Sequence, residues 1–246
     1  MDSLPLLPPD SPVEPRSHCQ DVPDPFAVNA PSCCGAGLTA AERQWYRTLL
    51  RAVPDFDGSP DRAWLQAEAG RCGVDLDATL AKLEGQDLIV RDPSTGAIVA
   101  VYPFSLRPTS HRVELDDGRA VYAMCAVDAL GIPLMLGCEA AIHAVDPMGG
   151  EAVRVVVRPD GARWEPPEAV VVVASRGGPG PAAEVCCGFI NFFPSTGAAR
   201  AYLDAHPGIR GRVLTQAEAL EVARRCFESL LDGGDGIAVD EDSRKG

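Results

Sequence analysis

The chain has 246 residues, of which 46% are hydrophobic, and it carries a formal net charge of -13 at pH 7. A chain of this length and composition can bury at least one sizeable core in one or two domains, and its longest apolar run, residues 120–127, is far shorter than the roughly 18 residues that cross a bilayer. The acidic balance repels phosphate backbones, so we expect neither a membrane nor a nucleic acid as partner.

The N-terminal segment, residues 1–37, contains eight prolines and little periodic hydrophobicity. Such a composition supplies too few apolar groups to offset the entropy of ordering, so we predict a disordered or loosely packed tail. Residues 1–10 lack the positive charge of a secretory signal and contain three prolines. We therefore expect the protein to be cytoplasmic.

Residues 38–101 are predicted to form a helical domain. Thr39 and Glu42 have the spacing of a capping box, and two further helices are predicted over 61–71 and 75–84. Apolar residues on both sides of the turn at 92–96 then indicate a hairpin. Three helices followed by a hairpin is the order of winged-helix modules, so we predict a winged-helix-like domain. Its acidic third helix favours packing on a catalytic domain rather than DNA binding.

Beyond Pro103 the pattern becomes mainly that of strands, and we predict a mixed-sheet catalytic domain over residues 102–232. The predicted strands are 111–115, 119–122, 140–145, 153–157, 169–173 and 185–193. A short helix is predicted at 123–130, and two C-terminal helices are predicted at 196–205 and after Thr215. The predicted fold class is therefore α+β. Residues 233–246 are predicted to be an acidic, flexible tail.

Nine cysteines make thiol chemistry the first candidate for function, because cysteines in a cytoplasmic protein stay mostly reduced. No Cys-x-x-Cys occurs, which argues against a zinc knuckle or a thioredoxin-like pair. Cys125 and Asp128 are three residues apart, a spacing that places a thiol and a carboxyl on the same face of a helix. A position near the helix N-terminus would favour the thiolate. Alone, this pair is weak evidence.

Four segments in sequence order carry a more specific signal: Tyr102-Pro-Phe-Ser105, Pro108-Thr-Ser-His111, Val121-Tyr-Ala-Met-Cys-Ala-Val-Asp-Ala-Leu-Gly-Ile132 and Cys186-Cys-Gly-Phe-Ile-Asn-Phe-Phe193. Together they resemble the signature segments of the organomercurial (alkylmercury) lyases. The resemblance extends over about residues 38–231.

The resemblance implies a site of two cysteines that bind mercury and an aspartate that protonates the carbon leaving group. By position in the segments, these are Cys125, Cys186 and Asp128, and the same three residues are expected to form the metal site. Cys187 stays open as the alternative to Cys186. If the segment is an extended strand, only one of the two neighbours can face Cys125.

The implied activity is cleavage of a carbon–mercury bond, which yields a hydrocarbon and thiolate-bound Hg(II). No organic cofactor is implied, and Hg(II) is the bound product. The implied partners are the organomercury substrate and a thiol acceptor or mercuric reductase that receives Hg(II). Cys33 and Cys34 in the tail could relay the metal, although the simpler interpretation is that they have no function in a disordered segment.

Two other functions are compatible with parts of the sequence. A soft-metal sequestering protein of the same fold would hold Hg(II) or Cu(I) through the same cysteines without cleaving anything, but it would not need Asp128 as a proton donor. A metal-sensing winged-helix regulator would need specific DNA binding, which the acidic charge disfavours.

Overall fold

The computed structural model describes residues 37–177 and 186–232 and has a mixed α+β fold. Within these residues, the α-helices are α1 (Ala40–Ala52), α2 (Arg62–Cys72), α3 (Leu76–Glu84), α4 (Ala126–Leu136), α5 (Thr196–Ala205) and α6 (Gln216–Phe227). Two short 3-10 helices lie at Val53–Asp55 and Cys187–Phe189. The predicted tails, with Cys33 and Cys34, lie outside the described residues except for Gly37.

The described part of the chain forms two antiparallel sheets, of which the larger has eight strands in the order β1-β2-β3-β5-β4-β6-β7-β8. These strands are β1 (Ile89–Arg91), β2 (Ile98–Val101), β3 (Phe104–Ser105), β4 (His111–Leu115), β5 (Ala120–Ala123), β6 (Ala140–Val145), β7 (Ala152–Arg158) and β8 (Gly161–Glu165). In β4, burial alternates, with His111, Val113 and Leu115 facing inward. Because side chains alternate between the two faces of a strand, this pattern indicates that one face of the sheet packs on the core and the other face is more accessible to solvent.

The smaller sheet has three strands in the order β10-β9-β11, namely β9 (Val170–Ser175), β10 (Asn191–Phe193) and β11 (Arg210–Leu214). All six residues of the central strand β9 are buried. Both of its faces are therefore covered, which explains its continuous run of valines. Strand β10 is important for the site, because it directly follows the 3-10 helix that contains Cys187.

Helix α4 packs in the centre of the molecule, and nine of its eleven residues are buried. Its partner is α6: a Cβ atom on Gly131 would lie 2.0 Å from the ring of Phe227. Only glycine permits this close approach of the two helices. One continuous set of buried apolar residues joins the N-terminal helices to α4 and α6.

Several predicted elements are confirmed. Thr39 and Glu42 form a capping box at α1, and Thr215 and Glu218 form one at α6. The helices predicted at 61–71 and 75–84 are present within one residue at each end. The hairpin β1–β2 follows them, as the winged-helix description requires, but β2 also pairs with β3. The winged-helix description and the boundary at 101/102 stay predictions.

Two predictions at the site are wrong in detail. The helix predicted at 123–130 begins at Ala126 and continues to Leu136, because α6 buries the apolar segment that follows residue 130. Of the strand predicted at 185–193, the described residues form a paired strand only over Asn191–Phe193. Residues 187–189 form a 3-10 turn, in which Phe189 and Ile190 donate backbone hydrogen bonds to the carbonyls of Cys186 and Cys187.

Candidate active site

Cys125 occupies the N-cap position of α4 and is 3% exposed. Its Sγ accepts a hydrogen bond from the backbone N–H of Asp128 across 3.4 Å. A helix start leaves its first N–H groups without intrahelical partners, and the sulfur here accepts from one of them. The three-residue spacing of Cys125 and Asp128 is that of an N-cap and the third residue of its helix. The structure brings the two residues together, as the spacing predicted.

Asp128 is 1% exposed, and its carboxyl interacts with the side chain and the backbone N–H of Cys125. Burial raises the pKa of this carboxyl from 3.8 to about 7, although its hydrogen bonds with Cys125 and Tyr102 act in the opposite direction. Among the described residues, its Oδ2 has no hydrogen-bond partner. A buried carboxyl that titrates near neutral pH can both accept and donate a proton.

Cys187 supplies a second sulfur to this cluster. It lies in the 3-10 helix Cys187–Phe189, is 8% exposed, and is hydrogen-bonded with Cys125. Burial is the main cause that raises the pKa of the Cys125 thiol well above its ordinary value, followed by the hydrogen bond with Cys187. Burial therefore acts against the thiolate that the helix N-terminus is expected to favour, and that expectation stays a prediction.

Cys186, the cysteine that the sequence favoured as the second ligand, is buried and disulfide-bonded. Cys187 is a free thiol. The contact that the structure places against Cys125 is with Cys187. The assignment of Cys186 as the second mercury ligand stays a prediction. Cys187, the free thiol, is the alternative ligand that the sequence had left open.

Tyr102 is the site residue to which sequence reasoning assigned no role. Its side chain hydrogen-bonds with Asp128, and burial together with the nearby Asp128 raises the pKa of its phenol. Its backbone is held on both sides: its N–H donates to the carbonyl of Leu88 across 2.9 Å, and its carbonyl accepts from the Tyr46 hydroxyl across 2.7 Å. Tyr102 opens one of the four signature segments, which was the available signal.

Backbone hydrogen bonds connect the segments that contain these side chains. Met124 N–H donates to the carbonyl of Pro103 across 3.1 Å, which joins the segment of Tyr102 to that of Cys125. Ala126 N–H donates to the carbonyl of Ile190 across 3.0 Å, which joins the start of α4 to the turn of Cys187. Three distant parts of the chain therefore meet at one buried point.

The geometry suits a soft metal bound by two sulfurs better than a harder metal that needs many donors. Within residues 37–177 and 186–232, no group of three or more His, Cys, Asp or Glu side chains is arranged to hold a metal ion. Two thiols and a nearby carboxyl are the donors present, and sulfur donors prefer soft metals.

Comparisons with known proteins agree with this chemistry. The alkylmercury lyase family model matches residues 104–228, just over half of the 246-residue chain. An alkylmercury lyase of Staphylococcus epidermidis is 31% identical over 199 residues, which cover 79% of this chain and 87% of that protein. This chain belongs to the alkylmercury lyase family. The resemblance expected from the four segments is confirmed.

Other relatives support this membership of the alkylmercury lyase family. An alkylmercury lyase of Streptomyces lividans is 34% identical over 211 residues, which cover 85% of this chain and 94% of that protein. A crystal structure of the mercury-bound form of MerB2 has the same fold, with a TM-score of 0.67 at 22% identity, and the match covers 81% of this chain and 96% of that one.

In the described part of this lyase, no helix is both long and apolar enough to span a bilayer.

Proposed function

We propose that this chain is an organomercurial lyase that cleaves carbon–mercury bonds by protonation of the carbon. Its membership of the alkylmercury lyase family supports this activity. The single observation that carries the mechanism is the buried cluster of Cys125, Cys187 and Asp128, in which the carboxyl has a pKa of about 7. Neither thiols alone nor a carboxyl alone would supply both a mercury ligand and a proton.

In the first step, Cys125 binds the mercury of a substrate R–Hg–X. The Cys125 thiol loses its proton to the Asp128 carboxylate, the sulfur–mercury bond forms, and X leaves with that proton as HX. A thiolate is a soft donor matched to soft mercury, which drives the exchange. Asp128 is again ionised and can accept a second proton.

In the second step, a second thiol gives its proton to Asp128 and binds the same mercury. The added sulfur increases electron density on the metal and weakens the carbon–mercury bond. That electron pair takes the proton from Asp128, so R leaves as R–H and mercury stays as Cys–S–Hg–S–Cys. Two thiol protons are thus accounted for, one in HX and one in the hydrocarbon.

We assign the second thiol to Cys187 on its contact with Cys125, and Cys186 remains the alternative from the family pattern. The substrate is a small organomercury compound, and a thiol acceptor or a mercuric reductase would take the Hg(II). No organic cofactor takes part. The expectation of a cytoplasmic location also stays a prediction.

The test is the release of benzene from a phenylmercury salt by the purified, reduced protein, measured by headspace gas chromatography. We expect one benzene for each phenylmercury consumed, with mercury retained on protein sulfur until a competing thiol removes it. If the protein bound mercury but released no benzene, it would be a soft-metal sequestering protein of the same fold.

A further inference from the structure

The 3-10 turn that follows Cys186 is held by one side chain in addition to its backbone hydrogen bonds. Asn191, the first residue of β10, is 5% exposed, and its Nδ2 donates a hydrogen bond to the carbonyl of Gly188 across 3.1 Å. Gly188 is the middle residue of the turn and is itself exposed. This amide therefore anchors the most exposed peptide of the turn to the buried strand.

A buried histidine orients this amide. His111, in β4, is 2% exposed and forms a side-chain hydrogen bond with Asn191. Burial lowers the pKa of His111 to about 4, so the imidazole is neutral and has one N–H. Because Nδ2 of Asn191 is directed to Gly188, its Oδ1 is the atom that accepts from His111. Nδ1 of His111 has no partner among the described residues, so Nε2 is the donor.

His111 therefore donates a hydrogen bond to Asn191, and Asn191 donates one to the carbonyl of Gly188. Next to it, the Ala126 N–H of α4 binds the carbonyl of Ile190. The turn is thus held at two points: Gly188 is bound by Asn191, which contacts His111 of the large sheet, and Ile190 is bound by the helix that begins after Cys125. A site whose sulfurs must meet one mercury atom needs this control, because a displacement of about 1 Å in a reacting group can reduce a rate by roughly 100-fold.

We propose that His111 and Asn191 are positioning residues that hold the cysteine turn at the distance from Cys125 at which both sulfurs bind one mercury atom. In this role both side chains act through the turn rather than on the substrate. The inference rests on the proposed function for its effect on turnover, but its effect on mercury binding is independent of turnover. It applies whichever of Cys186 and Cys187 is the ligand, since Cys187 is the first residue of the turn and Cys186 directly precedes it.

The main test is Asn191→Leu, which removes the amide at similar volume. The carbonyl of Gly188 is in an exposed residue, so water can replace the lost partner and the fold should persist. We expect kcat to fall roughly 10- to 100-fold with little change in KM. X-ray absorption on the stoichiometric Hg(II) complex should show fewer protein sulfurs at mercury, and a competing thiol should remove the metal at lower concentration.

Two further variants separate positioning from a general loss of packing. Gln216→Leu is the matched control, because Gln216 also anchors a loop by donating from its side-chain amide to the carbonyls of Pro167 and Ala169. It should leave kcat and mercury binding unchanged. His111→Gln, which keeps a donor, should retain more activity than His111→Phe, which does not.

The proposal is overturned if Asn191→Leu has the parental kcat. It is also overturned if mercury in this variant is bound by as many protein sulfurs as in the parent and is removed at the same concentration of competing thiol. A loss of kcat that is equal in His111→Gln and His111→Phe would also overturn it. If the parent itself released no benzene, the proposed function would fail, while the sulfur number and retention of mercury would still test the positioning role.

Discussion

The backbone N–H of Asp128 donates to the sulfur of Cys125 while the Asp128 carboxyl interacts with the backbone N–H of Cys125. The two residues thus cap the start of α4 reciprocally, in the manner of a capping box. Helix geometry alone therefore places the proposed proton carrier against the proposed mercury ligand. The roles of the two residues can be separated by substitution.

Asp128→Asn should keep mercury binding and lose turnover. The thiols remain, and asparagine still fills the same space, but no carboxyl is left to carry the proton. We expect benzene release to fall roughly 100- to 10,000-fold, the usual contribution of general acid–base catalysis. Mercury retention and benzene release would be measured on the same samples. Parental benzene release by this variant would mean that Asp128 is not the proton donor.

Serine substitutions should identify the second mercury ligand. Cys125→Ser should abolish both tight Hg(II) binding and hydrocarbon release, because a hydroxyl at neutral pH is neither soft nor ionised. On the contact geometry, Cys187→Ser should have the same effect, while Cys186→Ser should retain activity.

If Cys186→Ser lost activity and Cys187→Ser retained it, the second mercury ligand would be Cys186. In that case the disulfide of Cys186 would have to be reduced before catalysis, so the parent would need a reductant for its first turnover. Activity assays with and without pre-reduction, followed by removal of the reductant, provide that check.

Tyr102→Phe should shift the pH profile of the reaction. In the parent, kcat/KM should rise as pH increases through about 7, because the ionised Asp128 carboxyl accepts the thiol proton. The hydrogen bond from Tyr102 lowers the pKa of Asp128, so its loss should move this rise to higher pH. The activity deficit of Tyr102→Phe should therefore be larger at pH 6 than at pH 8.

A matched control for Tyr102→Phe is Tyr202→Phe, which removes a hydroxyl from a tyrosine that packs on Phe193 in a separate apolar cluster. Its pH profile should be parental. An unshifted profile in Tyr102→Phe would show that the phenol does not influence the Asp128 carboxyl.

Asp128→Asn should also change stability with pH. The pKa of Asp128 is higher in the folded state than in the unfolded state, so protonation of Asp128 contributes to the free energy of unfolding. This contribution is fully present below about pH 4 and is lost as pH rises through about 7. A change from 3.8 to about 7 corresponds to at most about 4 kcal/mol.

The variant should therefore be more stable than the parent at pH 8 and closer to it at pH 4.5. Urea unfolding of both proteins at the two pH values measures the difference. Equal stability at pH 8 would contradict the raised pKa of the Asp128 carboxyl.

The sequence by itself determined the α+β class, the helix caps at Thr39 and Thr215, and the proximity of Cys125 to Asp128. These features depend on residues close together in the chain, where spacing and capping rules apply directly. The family also followed from the sequence, because four segments in order are far more specific than any single cysteine.

Only the tertiary structure decided which groups surround that pair. Tyr102 and Cys187 reach it from a strand end and a turn that are distant in sequence, and His111 of the large sheet contacts that turn through Asn191. An alternating pattern predicted a strand through residues 185–193, but the chain turns at 187–189, so strand alternation could not select the cysteine. The pKa values of Asp128 and Cys125 likewise depend on burial, which arises only when α4, α6 and β10 pack together.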